Sequence, residues 1–185
     1  VTAVGRLFVA LDLPVSVGDA LAAWARREVG ARDDLRRVPV DALHLTLLFL
    51  GDRPMTDVDV IASAMRSTAD GPVPLGVGAP LWLAPRRPHV LAVGITDPAG
   101  ALTALHRRLQ ARLGTSIGWD PERRAFRPHV TVARVRRGAQ VRPIALDGPE
   151  DLRWWAEALT LYRSRLGGGP ARYEVLARVA LPEPG

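Results

Sequence analysis

The 185 residues include no cysteine and no lysine. Without cysteine the chain can form no disulfide framework, thiolate metal site or thiol nucleophile. No apolar run approaches the roughly 20 residues a membrane-spanning helix needs, so no membrane partner is expected. The opening VTAVGRLFVALDLP runs from a short apolar strand into Asp12 and Pro14, the wrong order for a secretory signal, and the expectation is a soluble cytoplasmic protein. With lysine missing, arginine carries all 25 basic charges, for a net +6 and a pI of about 11.2. GC-rich codon usage accounts for arginine over lysine but not for the positive excess. A guanidinium fork binds phosphate in bidentate fashion, so this surplus suits a polyanionic partner.

What is present is an ordinary globular composition, 48% apolar, which excludes a disordered chain. Histidine is scarce, with four in all, yet two of them share one setting. Residues 43–50 read LHLTLLFL and residues 127–135 read RPHVTVARV, each a His-apolar-Thr leading an apolar run. One copy would be an ordinary strand, because β-branched residues favour strands. Two copies call for a common cause.

The surrounding pattern supplies one. RLFVALDLP (6–14) reads as a strand ended by Pro14. Val17, Leu21, Ala25 and Val29 recur at helical spacing over 15–29, with Ser16 as the cap and Gly30 as the stop. A charged loop over 31–42 leads to a strand at 44–51. A helix at 56–69 capped by Thr56 is followed by strands at 73–78, 80–84 and 89–95. Asp97-Pro98 opens a helix over 98–113 with Leu102, Leu105, Leu109 and Leu113 on one face, ended by Gly114. A loop over 114–128 precedes a strand at 129–136, and the tail offers strands at 157–166 and 172–181 joined by Gly167-Gly168-Gly169-Pro170. The order strand, helix, loop, HxT strand thus occurs twice. The expected fold is α+β: one domain over 1–185, built of two duplicated α/β lobes. Two mainly antiparallel sheets would face a central cleft about a pseudo-twofold.

In a strand, residues two apart share a face, roughly 6.6 Å along the chain. His44 and Thr46 therefore stand together, as do His129 and Thr131, and a twofold would bring both pairs to one pocket. Two imidazoles that titrate near neutrality supply a general acid and a general base, and two hydroxyls donate to an anion held between them. That chemistry suits displacement at phosphorus.

On these residues the chain resembles the two-histidine phosphoesterases, specifically the RNA 2′,3′-cyclic phosphodiesterases, historically called 2′-5′ RNA ligases. RLFVALDLP, HLTLLFLG, RRPHVLAVGI, FRPHVTVAR and ALTLYRSRLGGGPARYEVL follow the family's order across nearly the whole chain. The resemblance implies opening of a 2′,3′-cyclic phosphate at an RNA end to a 2′-phosphate without metal or cofactor, with reversible 2′-5′ joining as a related capability. Its substrates would be RNAs with cyclic ends, tRNA fragments among them, and its state a monomer. By resemblance His44 matches the proton donor to the leaving 3′-oxygen and His129 the acceptor that activates water. Thr46 and Thr131 match the phosphate-binding threonines, Arg134 an arginine near the phosphate, and Phe8 an aromatic near the nucleoside. Two positions depart from the pattern: Leu48 stands where members often carry lysine, and Ala92-Val93-Gly94 lacks a common aromatic.

The other candidates read as structural. His106, beside Arg107 and Arg108, is expected on the surface, and His89 at a strand start. The triple glycine lacks the lysine of a phosphate loop and is expected to be a hairpin, while Trp154 and Trp155 are expected to pack. A metal site is disfavoured, because the motifs offer no third histidine or carboxylate. Two other functions stay open: a phosphodiesterase acting on small cyclic nucleotides, and a noncatalytic RNA-binding module, which would need a basic cleft but not both histidines.

Overall fold

The computed structural model describes residues 3–84, 87–121, 124–165 and 172–183. The Gly167–Gly169 hairpin lies outside them. Nine strands and three α-helices follow one another among the described residues: β1 (Val4–Asp12), α1 (Val15–Val29), β2 (Leu35–Arg37), β3 (His44–Pro54), α2 (Val58–Thr68), β4 (Pro74–Leu83), β5 (Val90–Thr96), α3 (Ala101–Ile117), β6 (His129–Val135), β7 (Arg153–Trp155), β8 (Ala158–Arg165) and β9 (Arg172–Ala180). Every strand pairing among the described residues is antiparallel.

The strands run in the order β7-β4-β5-β6-β3-β1-β8-β9, with β2 beside β6. Read from the middle outwards, this order is close to a palindrome: β3 and β6 are the HxT strands, β1 and β5 their outer neighbours. The two half-sheets expected from the duplication are therefore present, and they meet edge to edge. A single bridge, Leu45 to Val130, joins β3 to β6 and makes the halves one curled sheet. Helix α1 packs on β6 and β2, in the half opposite to the β1 strand that precedes it. Helices α2 and α3 pack on each other, α2 reaching β8 and β9. Their inner faces close one hydrophobic core around Leu21, Trp24, Ile61, Met65, Leu105 and Leu109.

Several local expectations are corrected. Ser16 lies inside the first turn of α1, whose N-cap is Pro14; the Gly18 amide donates to the Pro14 carbonyl at 3.0 Å. Proline fixes the φ that a helix entry needs, so no side-chain cap is required. Thr56 falls in a 3-10 turn (Met55–Asp57), and Asp57, the N-cap of α2, is turned away to an ion pair with Arg53 at 2.6 Å. Gly114 does not end α3, which continues to Ile117 and stops at left-handed Gly118 (φ 58°). That extra turn outweighs the roughly 1 kcal/mol cost of a helical glycine. It places Trp119 in the core and offers the Ile117 carbonyl to the Arg53 guanidinium at 2.8 Å. α3 begins at Ala101, with left-handed Gly100 as its N-cap, three residues later than expected, and Asp97 stands ahead of it, its carboxylate accepting from the Leu102 and Thr103 amides at 3.1 and 2.9 Å. The strands expected at 73–78 and 80–84 are one strand, β4, kinked by a bulge between Val77 and Pro80.

His106 is the clearest reversal. It is buried, 8% exposed, and stacks on Phe126 with ring centroids 3.9 Å apart and planes within 9°. Trp154 packs in the core, whereas Trp155 on the same short strand is 44% exposed. Residues 139–152 form no helix or strand and are held by two indole N–H donors, Trp24 to the Asp147 carbonyl (2.9 Å) and Trp82 to the Ile144 carbonyl (3.0 Å).

Candidate active site

Both HxT motifs open their strands beside the bridge that joins the halves. Continuing the Leu45–Val130 register one residue each way sets His44 opposite Thr131 and Thr46 opposite His129. Leu45 and Val130 point into the core, fully buried, so the alternation of the strand turns both His-Thr pairs to the other face. There they line one cavity of about 370 Å³ together with Phe8, Arg134 and Tyr173. The structure thus brings together all six residues singled out from the sequence.

The two imidazoles are held alike. His44 Nδ1 lies 2.9 Å from the Ala42 carbonyl and His129 Nδ1 lies 2.7 Å from the Arg127 carbonyl, in each case the residue two before. A carbonyl only accepts, so each Nδ1 carries the proton and each Nε2 is left for chemistry. The same device thus recurs on both HxT strands.

The surroundings of the two differ. His44 is boxed by aromatic rings, with Phe8 and Tyr173 at 5.0 Å and Tyr162 at 6.1 Å between centroids. Burial holds the His44 imidazole below its ordinary range; its bond to the Ala42 carbonyl and the Asp12 carboxylate oppose this, while Arg134 and His129 add to it. Asp12 faces His44 across the β1–β3 ladder and accepts from Thr160 (2.7 Å) and Tyr162 (2.6 Å), with the Arg178 guanidinium at 3.3 Å. Burial, and then this bond, hold the Tyr162 hydroxyl far above its ordinary range, so it serves as a fixed donor.

A bulge follows each motif and sets what comes next. The β1–β3 register skips a residue at Leu47, and the β5–β6 register skips one at Val132, each time the residue after the threonine. An extra residue reverses the alternation. Leu48 and Ala133 therefore turn into the core, at 3% and 0% exposure, and Phe49 and Arg134, each five residues after its histidine, turn to the cavity. The bulge also accounts for Leu48 in place of lysine: the position faces the core. Phe8, by contrast, keeps only 3% exposure and stacks on Tyr162 at 5.2 Å, whereas Phe49 is 53% exposed at the rim.

Phe49, Tyr162, Tyr173 and Asp12 were not singled out from the sequence. Asp12 and both tyrosines lie within stretches that carried the family resemblance. Phe49 sits in an apolar run where every residue reads as core.

Residues 14–168 match the sequence pattern of the 2′-5′ RNA ligase superfamily. The RNA 2′,3′-cyclic phosphodiesterase of Thermus thermophilus is 33% identical, with 95% of this chain and 90% of that protein covered. The protein of the same description from Escherichia coli is 30% identical, covering 96% and 97%. Among solved structures, TT0787 of Thermus thermophilus superposes with a TM-score of 0.82 at 29% identity, covering 95% and 97% of the two chains. Escherichia coli LigT complexed with 3′-AMP gives 0.82 at 27% identity, covering 98% and 100%.

Proposed function

Because the chain belongs to the 2′-5′ RNA ligase superfamily, we propose that it hydrolyses 2′,3′-cyclic phosphates at RNA ends to 2′-phosphates by paired-histidine acid–base chemistry. The observation that carries this reading is the matched pair of imidazoles in one cavity, each with Nδ1 tied to a carbonyl and Nε2 free. The relatives named RNA 2′,3′-cyclic phosphodiesterase, similar over nearly the whole chain, support the reaction class.

In the proposed step, His129 Nε2 takes a proton from water, whose oxygen bonds to phosphorus opposite the 3′-oxygen. The bond from phosphorus to the 3′-oxygen breaks, and His44 Nε2 gives its proton to that oxygen. The products are a 2′-phosphomonoester and a 3′-hydroxyl, and one proton exchange with solvent at each ring restores the start. Thr46 and Thr131 hydroxyls donate to the non-bridging oxygens, and Arg134 balances their charge. Phe8 backs the His44 ring on the side of the nucleoside. A 5′-hydroxyl of a second RNA in place of water would form a 2′-5′ linkage by the same step.

The lowered His44 pKa fits a donor that is strongly acidic once charged. The incoming phosphate anion offsets the guanidinium and the burial that disfavour the imidazolium. All these groups belong to one chain, so a monomer suffices. No described helix is long and apolar enough to cross a membrane; the proposed setting is the cytoplasm and the proposed substrates are RNAs with cyclic ends, tRNA fragments among them. The test is product analysis with an oligoribonucleotide ending in a 2′,3′-cyclic phosphate, in excess chelator. A 2′-phosphate product is expected; a 3′-phosphate, or no turnover, would overturn the proposal.

A further inference from the structure

Beyond the catalytic cavity the molecule has an arginine-lined groove with no role in the chemistry above. Strand β2 lies along β6 where β3 has left it, and this places Arg36 directly across the ladder from Arg134. A small space of about 100 Å³ lies between Arg134, Arg36, Arg37 and Tyr173, sharing Val38 and Ala42 with the catalytic cavity. On its far side, across Arg36, Arg37, Val38 and Pro39, it adjoins a groove of about 490 Å³ between α1, β2 and the end of β6. Arg26, Arg32 and Arg136 reach that groove, against Asp33 as the one carboxylate among its described lining.

These arginines are not equivalent. Arg32 is held by Asp34 at 2.6 Å, and the Arg37 guanidinium lies against Gly30 at the end of α1, where it favours the helix C-terminus. Arg26, Arg36 and Arg136 make no ion pair among the described residues and are exposed. Like charges gathered around one groove repel each other unless a polyanion lies between them.

We infer that this groove carries the sugar-phosphate backbone of the RNA upstream of the cyclic end, with Arg36 taking the first phosphate beyond Arg134 and Arg136 and Arg26 those that follow. The inference rests on the proposed function. A 2′,3′-cyclic phosphate terminates the 3′ side of an RNA, so every other phosphate lies 5′ of the site and must leave the cavity by one path. The groove adjoins the small space beside the cavity around the β2 edge, through Arg36, Arg37, Val38 and Pro39, and its guanidinium groups favour a nucleic acid over an acidic protein segment.

The test compares Arg36→Gln/Arg136→Gln with Arg66→Gln/Arg112→Gln, an equal charge change on α2 and α3, away from the groove. The probes are a hexaribonucleotide ending in a 2′-phosphate and adenosine 2′-phosphate, both stable to the reaction, with binding followed from low to high salt. The groove variant is expected to lower the ratio of hexamer to mononucleotide affinity about tenfold. Its salt slope for the hexamer should be shallower by about 1.4, from two lost phosphate contacts on a single strand. An equal change in both variants, or an unchanged ratio, would overturn the inference, as would equal competition by poly-glutamate of the same charge. Binding to product ends does not depend on turnover. Absence of hydrolysis in the parallel assay would therefore count against the proposed function and leave the groove to be decided by these titrations.

Discussion

Replacing Asp12 by asparagine tests how the aromatic box around His44 is held. The carboxylate accepts two hydroxyl protons, from Thr160 at 2.7 Å and Tyr162 at 2.6 Å. Asparagine keeps one oxygen and puts an NH₂ group in place of the other, so one of the two O–H donors meets a donor. Thr160 is fully buried and has no water to turn to. Losing one charge-assisted bond and stranding one hydroxyl together cost about 3 kcal/mol. The 54% exposed Arg178 adds little, because exposed pairs are screened. For a chain of this size that is a fall in Tm of about 6–12 °C. The second readout is electrostatic: Asp12 raises the His44 pKa against burial, so Asp12→Asn should lower it further when the ring protons are titrated by NMR. With His44 as the proposed general acid, less imidazolium means less acid, and kcat/KM on a cyclic phosphate should fall at neutral pH and recover in part at acid pH. A stability change below about 0.5 kcal/mol, the scale of ordinary surface substitutions, together with an unmoved His44 titration, would refute the reasoning.

His44→Ala and His129→Ala should each lower turnover about 100-fold or more, and the double variant by less than the product of the two, because in the proposed step both groups serve one displacement. With a 3′-sulfur leaving group, which needs little protonation, His44→Ala should regain most of its rate while His129→Ala stays impaired; the opposite result would exchange the two roles. Burial lowers the His106 pKa, so the unfolded chain binds this proton more readily, and the stability tied to the neutral ring is present above about pH 6.5 and lost as the pH falls below it. His106→Leu should flatten the dependence of denaturant stability on pH between 7 and 5; an unchanged slope would show that the stacked ring does not titrate there.

The paired motifs, the duplicated order and the α+β class were legible because each rests on local pattern: period two in the strands, period 3.6 in α1 and α3, and an HxT repeated 85 positions apart. Features that depend on partners far along the chain were not. Leu35-Arg36-Arg37 has one apolar residue and becomes a strand only because the exposed edge of β6 pairs with it. His106 looks solvated beside two arginines, yet Phe126, twenty residues on, covers it. The caps at Ser16 and Thr56 failed where proline and a 3-10 turn had already set the entry of the helix. The bulges at Leu47 and Val132 leave no composition signal, yet they decide that Phe49 and Arg134 reach the site and Leu48 does not.

The mismatch between Phe49 and Arg134 at equivalent places has a stereochemical consequence. A 2′,3′-cyclic phosphate is itself nearly symmetric about phosphorus, since a half-turn exchanges its 2′- and 3′-oxygens. A perfectly twofold site would present an acid to either oxygen equally and release a mixture of phosphate isomers. Handedness must come from whatever departs from the twofold, and here one half offers a flat apolar ring while the other offers a guanidinium. In the proposed reaction the ring would favour the nucleoside side and the guanidinium the charged oxygens, giving the substrate one preferred orientation in which only one oxygen meets the acid. Phe49→Arg would remove this difference while leaving the aromatic rings around His44 in place, and the expected result is a measurable share of 3′-phosphate among the products; a product still wholly 2′ would place the source of handedness elsewhere in the cleft.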